Sequence, residues 1–372
     1  MDKPEIIASI ILYQCPVKLK EPFIISLGKL EYADNVVVKI ITSGGFIGFG
    51  ECSPFQTIHG ENSETCIVVG KLLANAIKGS NALDIENCSL KMDAVIYGNT
   101  SIKSAFDIAI HDIASQEQKI PLYQFLGGKN DKQLVSDYTV SISSPGKMAD
   151  DAAKIIKAGF KIIKIKLGGK AEDDFQRMKE IRERIGYDIT IRIDANQGWQ
   201  VEQSIKILDH LHQYNIQHCE EPVSRKSFIA LPALQRDSKI PIMADESCFD
   251  DVDAQRLIDS KSCAMINVKL GKSSGLFKAK KIAVLAEKAD MKLQAGGFLE
   301  SRLGFTATAH LALCSKQFIF FDFDTPLMFI EDLVTGGISY HEGGLVKVPD
   351  AIGLGATIND DVLKSLKSIE IF

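Results

Sequence analysis

The feature that most constrains the fold is a repeat. Beyond Gly127-Gly128, short apolar runs end near Ser141, Lys166, Asp194, Glu220, Asp245, Lys269, Ala295 and Asp322, so successive ends lie 24 to 28 residues apart. An amphipathic helical stretch follows each run. A period of this size fits one strand, one helix and two short loops. Parallel strands need such crossovers, and eight of them close into a barrel. Runs such as Ile240–Ala244 are apolar throughout, as strands covered on both faces are. An open doubly wound sheet shows the same alternation, but eight units exceed its usual strand number. The repeat therefore predicts an α/β fold with a (β/α)8 barrel over residues 126–339.

Residues 1–125 have a different texture. β-type runs occupy Ile6–Tyr13 and Asn35–Thr42, and the second passes through Ser43-Gly44-Gly45 into Phe46–Gly50 as a hairpin does. Helical patterns follow around 63–78, 83–92 and 100–116. In the last, Ile102, Ala105, Phe106, Ala109, Ile110 and Ile113 share one helical face. This segment predicts a small α+β capping domain. Near the other end, Leu345–Val348 before Pro349 cannot be a ninth barrel strand. Residues 340–372 are therefore expected to return to the cap.

Composition narrows the partners. A net charge of −5 advertises no basic face for nucleic acid. The eight cysteines form no CxxC pair, which points to reduced thiols rather than a disulfide framework or zinc site. Lys3 ahead of Ile6–Tyr13 faintly resembles a signal peptide, but the run lacks a small-residue cleavage site. No apolar run approaches the roughly 20 residues that span a bilayer. The expectation is a cytoplasmic protein with a small-molecule partner and neither nucleic acid nor membrane. A homo-oligomer is compatible with these features.

Barrels of this kind carry their active site at the C-terminal ends of the strands. There the runs end in Lys164-Ile165-Lys166, Asp194, Glu220-Glu221-Pro222, Asp245-Glu246 and Lys269. Charges at the ends of buried strands are costly unless paired or bound to metal. Asp194, Glu220 and Asp245 lie on consecutive strands about 4.8 Å apart, so their carboxylates converge on one ion-sized volume. An all-oxygen set with open positions suits Mg²⁺. The plainer alternative is that these acids cap helix N-termini. Glu221 is turned away from Glu220 by the period-2 alternation of a strand. Lys164 and Lys166 both face the barrel interior, and Lys269 approaches from across the acid-bearing strands. Lysines beside other cations and a metal have a lowered pKa, as a general base requires. Surface or salt-bridging lysines are the alternative.

Together the KxK, DAN, EEP and DES segments and Lys269 resemble the muconate-lactonizing-enzyme subgroup of the enolase superfamily. Ala105–Asp112 (AFDIAIHD) and Pro121–Gly128 (PLYQFLGG) resemble that family's junction between cap and barrel. The resemblance implies that Asp194, Glu220 and Asp245 bind Mg²⁺ and that Lys166 and Lys269 are the two acid/base catalysts. At the eighth strand, the Asp322-Phe323-Asp324 segment resembles the dipeptide epimerases of the subgroup. Two acids facing one way at a barrel mouth suit a substrate ammonium group. The expected activity is Mg²⁺-dependent epimerisation at the α-carbon of a dipeptide's C-terminal residue, L-Ala-D/L-Glu and related murein-type dipeptides among the candidates.

Thr139, Lys164, Gly297 and Leu299 are further candidates for substrate contact; the glycine would let a ligand approach the backbone. Trp199 and the seven histidines form no cluster. An o-succinylbenzoate synthase, a cycloisomerase or an N-acylamino-acid racemase of the same subgroup remains a rival, as does a non-catalytic Mg²⁺-dependent protein that binds small acids. Side-chain selectivity is assigned to capping loops near 15–30 and 50–60. Ala-Glu epimerases of this family use an arginine in the first loop. Ser26-Leu27-Gly28-Lys29 offers none, leaving Lys29, Lys18 or Lys20 as substitutes.

Overall fold

The computed structural model describes residues 4–372; Lys3 lies outside the described residues. Barrel strands 1 to 8 are Tyr138–Val140, Ile162–Lys166, Thr190–Asp194, Ile216–Glu220, Ile242–Ala244, Met265–Lys269, Lys292–Gly296 and Phe318–Phe321. They are hydrogen-bonded in that order, and every neighbouring pair is parallel. A parallel bridge between Ser136 and Phe321 joins strand 8 to the start of strand 1. Isoleucines alternate along the walls: Ile163, Ile165, Ile191 and Ile193 are fully buried and belong to the main apolar core. Each such side chain contributes about 1.5–3 kcal/mol. The alternate positions, Lys164, Lys166, Arg192 and Asp194, turn inward. A charged barrel interior is thus built on an apolar shell.

The cap is a four-stranded antiparallel sheet of β1 (Ile7–Ile25), β2 (Gly28–Thr42), β3 (Ile47–Cys52) and the C-terminal β4 (Ser368–Ile371), in the order β4-β1-β2-β3. Three helices cover it: α1 (Ser63–Ile77), α2 (Ile85–Val95) and α3 (Thr100–Glu117). Asn62 and Thr65 form a capping box that starts α1. Glycines let α3 lie directly on β3. A Cβ at Gly48 would come within 2.1 Å of the Ala109 carbonyl oxygen. One at Gly50 would sit 1.9 Å from that of Ala105.

Two expectations need correction. Residues 15–30 are not a loop but the far half of a long β1–β2 ribbon, turning at Ser26-Leu27. Buried Cys15, Val17 and Leu19 alternate with exposed Pro16, Lys18 and Lys20, a period-2 strand pattern that a search for continuous apolar runs passes over. In addition, Leu345–Lys347 does not join the cap. It pairs with Ser339–His341 and Leu134–Val135 below barrel strand 1, and the segment that returns to β1 is Ser368–Ile371.

Cap and barrel are joined through Glu51 on β3. Its carboxylate accepts from the Ser301 N–H (3.0 Å) and hydroxyl (2.7 Å), the Gly304 N–H (2.8 Å) and the Asn35 amide (2.8 Å). It thereby caps the helix Arg302–Ala312 from another domain. Glu51→Ala would strand several buried donors and should lower stability by about 2–4 kcal/mol. Equilibrium urea unfolding measures this, and a loss below about 1 kcal/mol, the worth of one ordinary hydrogen bond, would show that the joint is not held here.

Candidate active site

Register brings the charged strand ends together. Lys166 pairs with Asp194, and Asp194 with Glu220, so the three stand side by side across strands 2, 3 and 4. Asp245 follows strand 5 by one residue. The carboxylates of Asp194, Glu220 and Asp245 are fully buried, and each offers an oxygen within 4.8 Å of the others. Three carboxylates this close form an all-oxygen donor set that fits a hard divalent cation. Glu221 lies one residue past strand 4, and its left-handed backbone (φ 34°) turns it away from the triad. It accepts from the N–H groups of Asp245 (2.7 Å) and Ser247 (3.2 Å) and so shapes the turn that carries Asp245.

Four lysines surround the triad. Lys166 lies 2.6 Å from Asp194 and also donates to the Asn196 side chain at 3.1 Å. Lys269 lies 2.7 Å from Asp245. Lys164 reaches Glu220 at 2.8 Å and Asp322 at 2.9 Å. The fourth, Lys272, stands 2.6 Å from Asp245 and holds the Asn267 carbonyl at 2.9 Å. The depression expected for the lysines is not found at Lys269. Burial favours the neutral amine, but Asp245 and Glu220 outweigh it and hold the ammonium above its ordinary range. Lys164 is raised in the same way: burial opposes the charge, and Asp322, Glu220 and Asp194 overcome it. Facing carboxylates here outweigh neighbouring ammonium groups.

Above the triad lies a cavity lined by Lys166, Lys269, Thr139, Gly297, Leu299, Asp322 and Asp324, together with Asn196 and apolar residues of the cap. Of the substrate candidates, Lys164 alone stays below it. The two acids of strand 8 are not equivalent. Despite burial, Lys164 and the other ammonium groups hold Asp322 down to about 2. Asp324 accepts the Thr139 N–H at 2.5 Å, and among the described residues no lysine or arginine pairs with it. Burial and the charge of Asp322 push its carboxyl up to about 7. Asp324 is thus the acid still short of a cation.

Packing constrains the glycine pair as well. A Cβ on Gly297 would strike the Phe305 ring at 2.5 Å and Glu300 at 2.8 Å, and one on Gly296 would meet the Asn267 amide at 2.6 Å. Packing thus requires glycine at both positions, and Gly297 also lines the cavity. Other residues escaped the sequence reading. The Asn267 and Gln294 amides donate to Glu220 at 2.8 and 3.3 Å; Asn267 stands two residues before Lys269, and Gln294 two before Gly296, the last residue of strand 7. His59 packs edge-on against Phe298 with centroids 4.3 Å apart. Trp199 is structural: its indole N–H donates to Asp174 at 2.9 Å.

The chain belongs to the mandelate racemase/muconate lactonizing enzyme family. The N-terminal domain model of that family matches residues 7–127, and the enolase C-terminal domain-like model matches residues 147–362. It is 57% identical to the D-Ala-D/L-Ala epimerase of Cytophaga hutchinsonii, over 98% of this chain and 99% of that protein. A dipeptide epimerase from the same organism, solved with Mg and the dipeptide D-Ala-L-Val, superposes with a TM-score of 0.98 at 56% identity, covering 99% of this chain and all of that one. The L-Ala-D/L-Glu epimerase of Clostridium acetobutylicum is 38% identical over 94% of this chain and 98% of its own length. Among the described residues, no helix is long and apolar enough to cross a membrane.

Proposed function

We propose that this chain is a Mg²⁺-dependent dipeptide epimerase, inverting the α-carbon of the C-terminal residue by proton transfer between Lys166 and Lys269. The observation that carries this reading is that both lysines open into one cavity above a buried acid triad, with an unneutralised carboxylate at its far end. The relative solved with Mg and a dipeptide supports it. Asp194, Glu220 and Asp245 would hold the ion. When bound, Mg²⁺ offsets charge that develops on the substrate carboxylate as the α-proton leaves. With the triad carboxylates engaged by the ion, they no longer hold both lysines charged: one lysine, as the neutral amine, takes that proton, and the other, as the ammonium, delivers one to the opposite face. In the reverse direction they exchange roles. Asp324 takes the substrate ammonium, Lys164 orients Asp322 beside it, and Thr139 fixes Asp324 through its N–H. The eight free thiols suit a cytoplasmic setting.

The ammonium contact separates this reading from N-acylamino-acid racemisation. A charge-assisted contact is worth about 1.5–3 kcal/mol, so N-acetylating the dipeptide should lower kcat/KM by about 10- to 150-fold. Asp324→Asn should impose a similar loss on the free dipeptide and little on the acetylated one, so the two losses do not add. Ionised Asp324 binds the ammonium, and its carboxyl is raised to about 7, so kcat/KM for the free dipeptide should climb with pH through about 7. The variant should lose that limb. Equal turnover of free and acetylated dipeptides would move the assignment to the racemase.

A further inference from the structure

We infer that the C-terminal residue of the dipeptide must carry an apolar side chain, seated against Phe23, Ile25, Phe55, Ile58 and Phe298, and that charged side chains are rejected. This rests on the epimerase reading and adds the class of substrate. The directions open to the reacting carbon supply the first step. Its proton leaves toward a lysine, its carboxylate points down to the triad, and its nitrogen runs toward Thr139 and Asp324. The side chain takes the direction that remains, up into the cap. While the α-carbon is planar its three heavy substituents share one plane, and the proton comes and goes along the normal. One pocket therefore serves both epimers.

That pocket is apolar. Ile25, Phe55, Ile58 and Phe298 form a buried cluster of their own, with Phe23 packed against it. The ionisable groups lining the cavity are Lys166, Lys269, Asp322 and Asp324, all committed to the other substituents. Phe23 and Phe298 stand beside the two lysines, whose ammonium groups lie 5.8 and 4.7 Å from the ring centroids. The cations that could have met a glutamate side chain are elsewhere. Lys18 lies over the Tyr32 ring, Lys20 donates to the Leu327 carbonyl at 2.8 Å, and Lys29 pairs with Glu31 at 2.7 Å on the surface. Arg225 donates to the Ile58 carbonyl and covers Phe249, with Ile58 itself lining the cavity. His59 stands behind Phe298, and burial holds its imidazole neutral, down to about 3. A carboxylate or ammonium entering this pocket would lose its water and gain no partner.

The test is a panel of Ala-X dipeptides, with L-Ala or D-Ala first and X as Ala, Val, Leu, Phe, Glu or Lys. Wild-type protein with Mg²⁺ is followed by α-deuterium uptake in D₂O. The best apolar X should exceed both Glu and Lys in kcat/KM by more than about 200-fold, beyond what a methylene or hydroxyl difference achieves. Phe55→Ala should shift the ranking among Ala, Leu and Phe toward the larger side chains. Glu or Lys turned over as well as Val or Leu overturns the pocket while leaving the epimerase intact. So does an unchanged apolar ranking in the variant. Uptake with no member of the panel overturns the epimerase reading, and this inference with it.

Discussion

Lys166→Ala and Lys269→Ala should each lower epimerisation by about 10³-fold, the middle of the range for a positioned general acid or base. Inversion needs a group on each face, so neither variant can hand the proton across. Arginine at either position is the sharper probe. A guanidinium can keep the ion pair that Lys166 makes with Asp194 or Lys269 with Asp245, yet it does not give up its proton at any working pH. Lys166→Arg and Lys269→Arg should therefore remain folded and fail at proton transfer as completely as the alanine variants. Circular dichroism and polarimetric assays on all four check this. An arginine variant that epimerises at the wild-type rate would show that the lysine is present only for its charge.

The acid triad should give an effect of similar size with a second signature. Asp245→Asn removes one of three carboxylates from the ion, and the loss of several kcal/mol of charge stabilisation corresponds to about 10³-fold or more in kcat. It also leaves Lys269 and Lys272, at 2.7 and 2.6 Å, without their anion. Breaking a buried pair from one side costs about 3–5 kcal/mol. The variant should be both inactive and measurably less stable. Chelation is different, because the lysines still pair with the carboxylates. Chelator-treated wild-type protein should keep its fold, lose activity and regain it with Mg²⁺. Full activity in excess chelator would remove the metal from the mechanism.

What was legible in the sequence was whatever carried a period or a charge. The barrel could be read because strand and helix recur at a constant spacing, and the triad because each acid closes one of those repeats. Asp322 and Asp324 stand out by the resemblance of their DxD segment to the dipeptide epimerases of the subgroup, although both lie past Phe321, where strand 8 ends. Asn267 and Gln294 occupy equally regular inward positions, but a neutral amide inside a strand looks like any other polar residue until register places it beside Glu220. The ribbon over residues 15–30 was hidden because Cys15, Val17 and Leu19 alternate with Pro16, Lys18 and Lys20, and Pro16 argues against a strand on its own. Phe55 and Ile58 sit on a single short helical turn, Gln56–His59 and its flank, with no repeat to mark them. Leu345–Val348 is the more apolar run near the C-terminus and so suggests itself as the returning strand. β1 instead pairs with Ser368–Ile371, whose isoleucines alternate with polar residues.

Stereospecific exchange distinguishes one base on each face from any single-base route. Each purified epimer of a dipeptide substrate is incubated in D₂O with Lys166→Ala or Lys269→Ala, and loss of its α-proton signal is followed by NMR. Each variant retains the lysine of one face, so it should exchange the α-proton of a single epimer without forming the other, and the two variants should act on opposite epimers. Both variants exchanging the same epimer, or either exchanging both, would contradict the assignment.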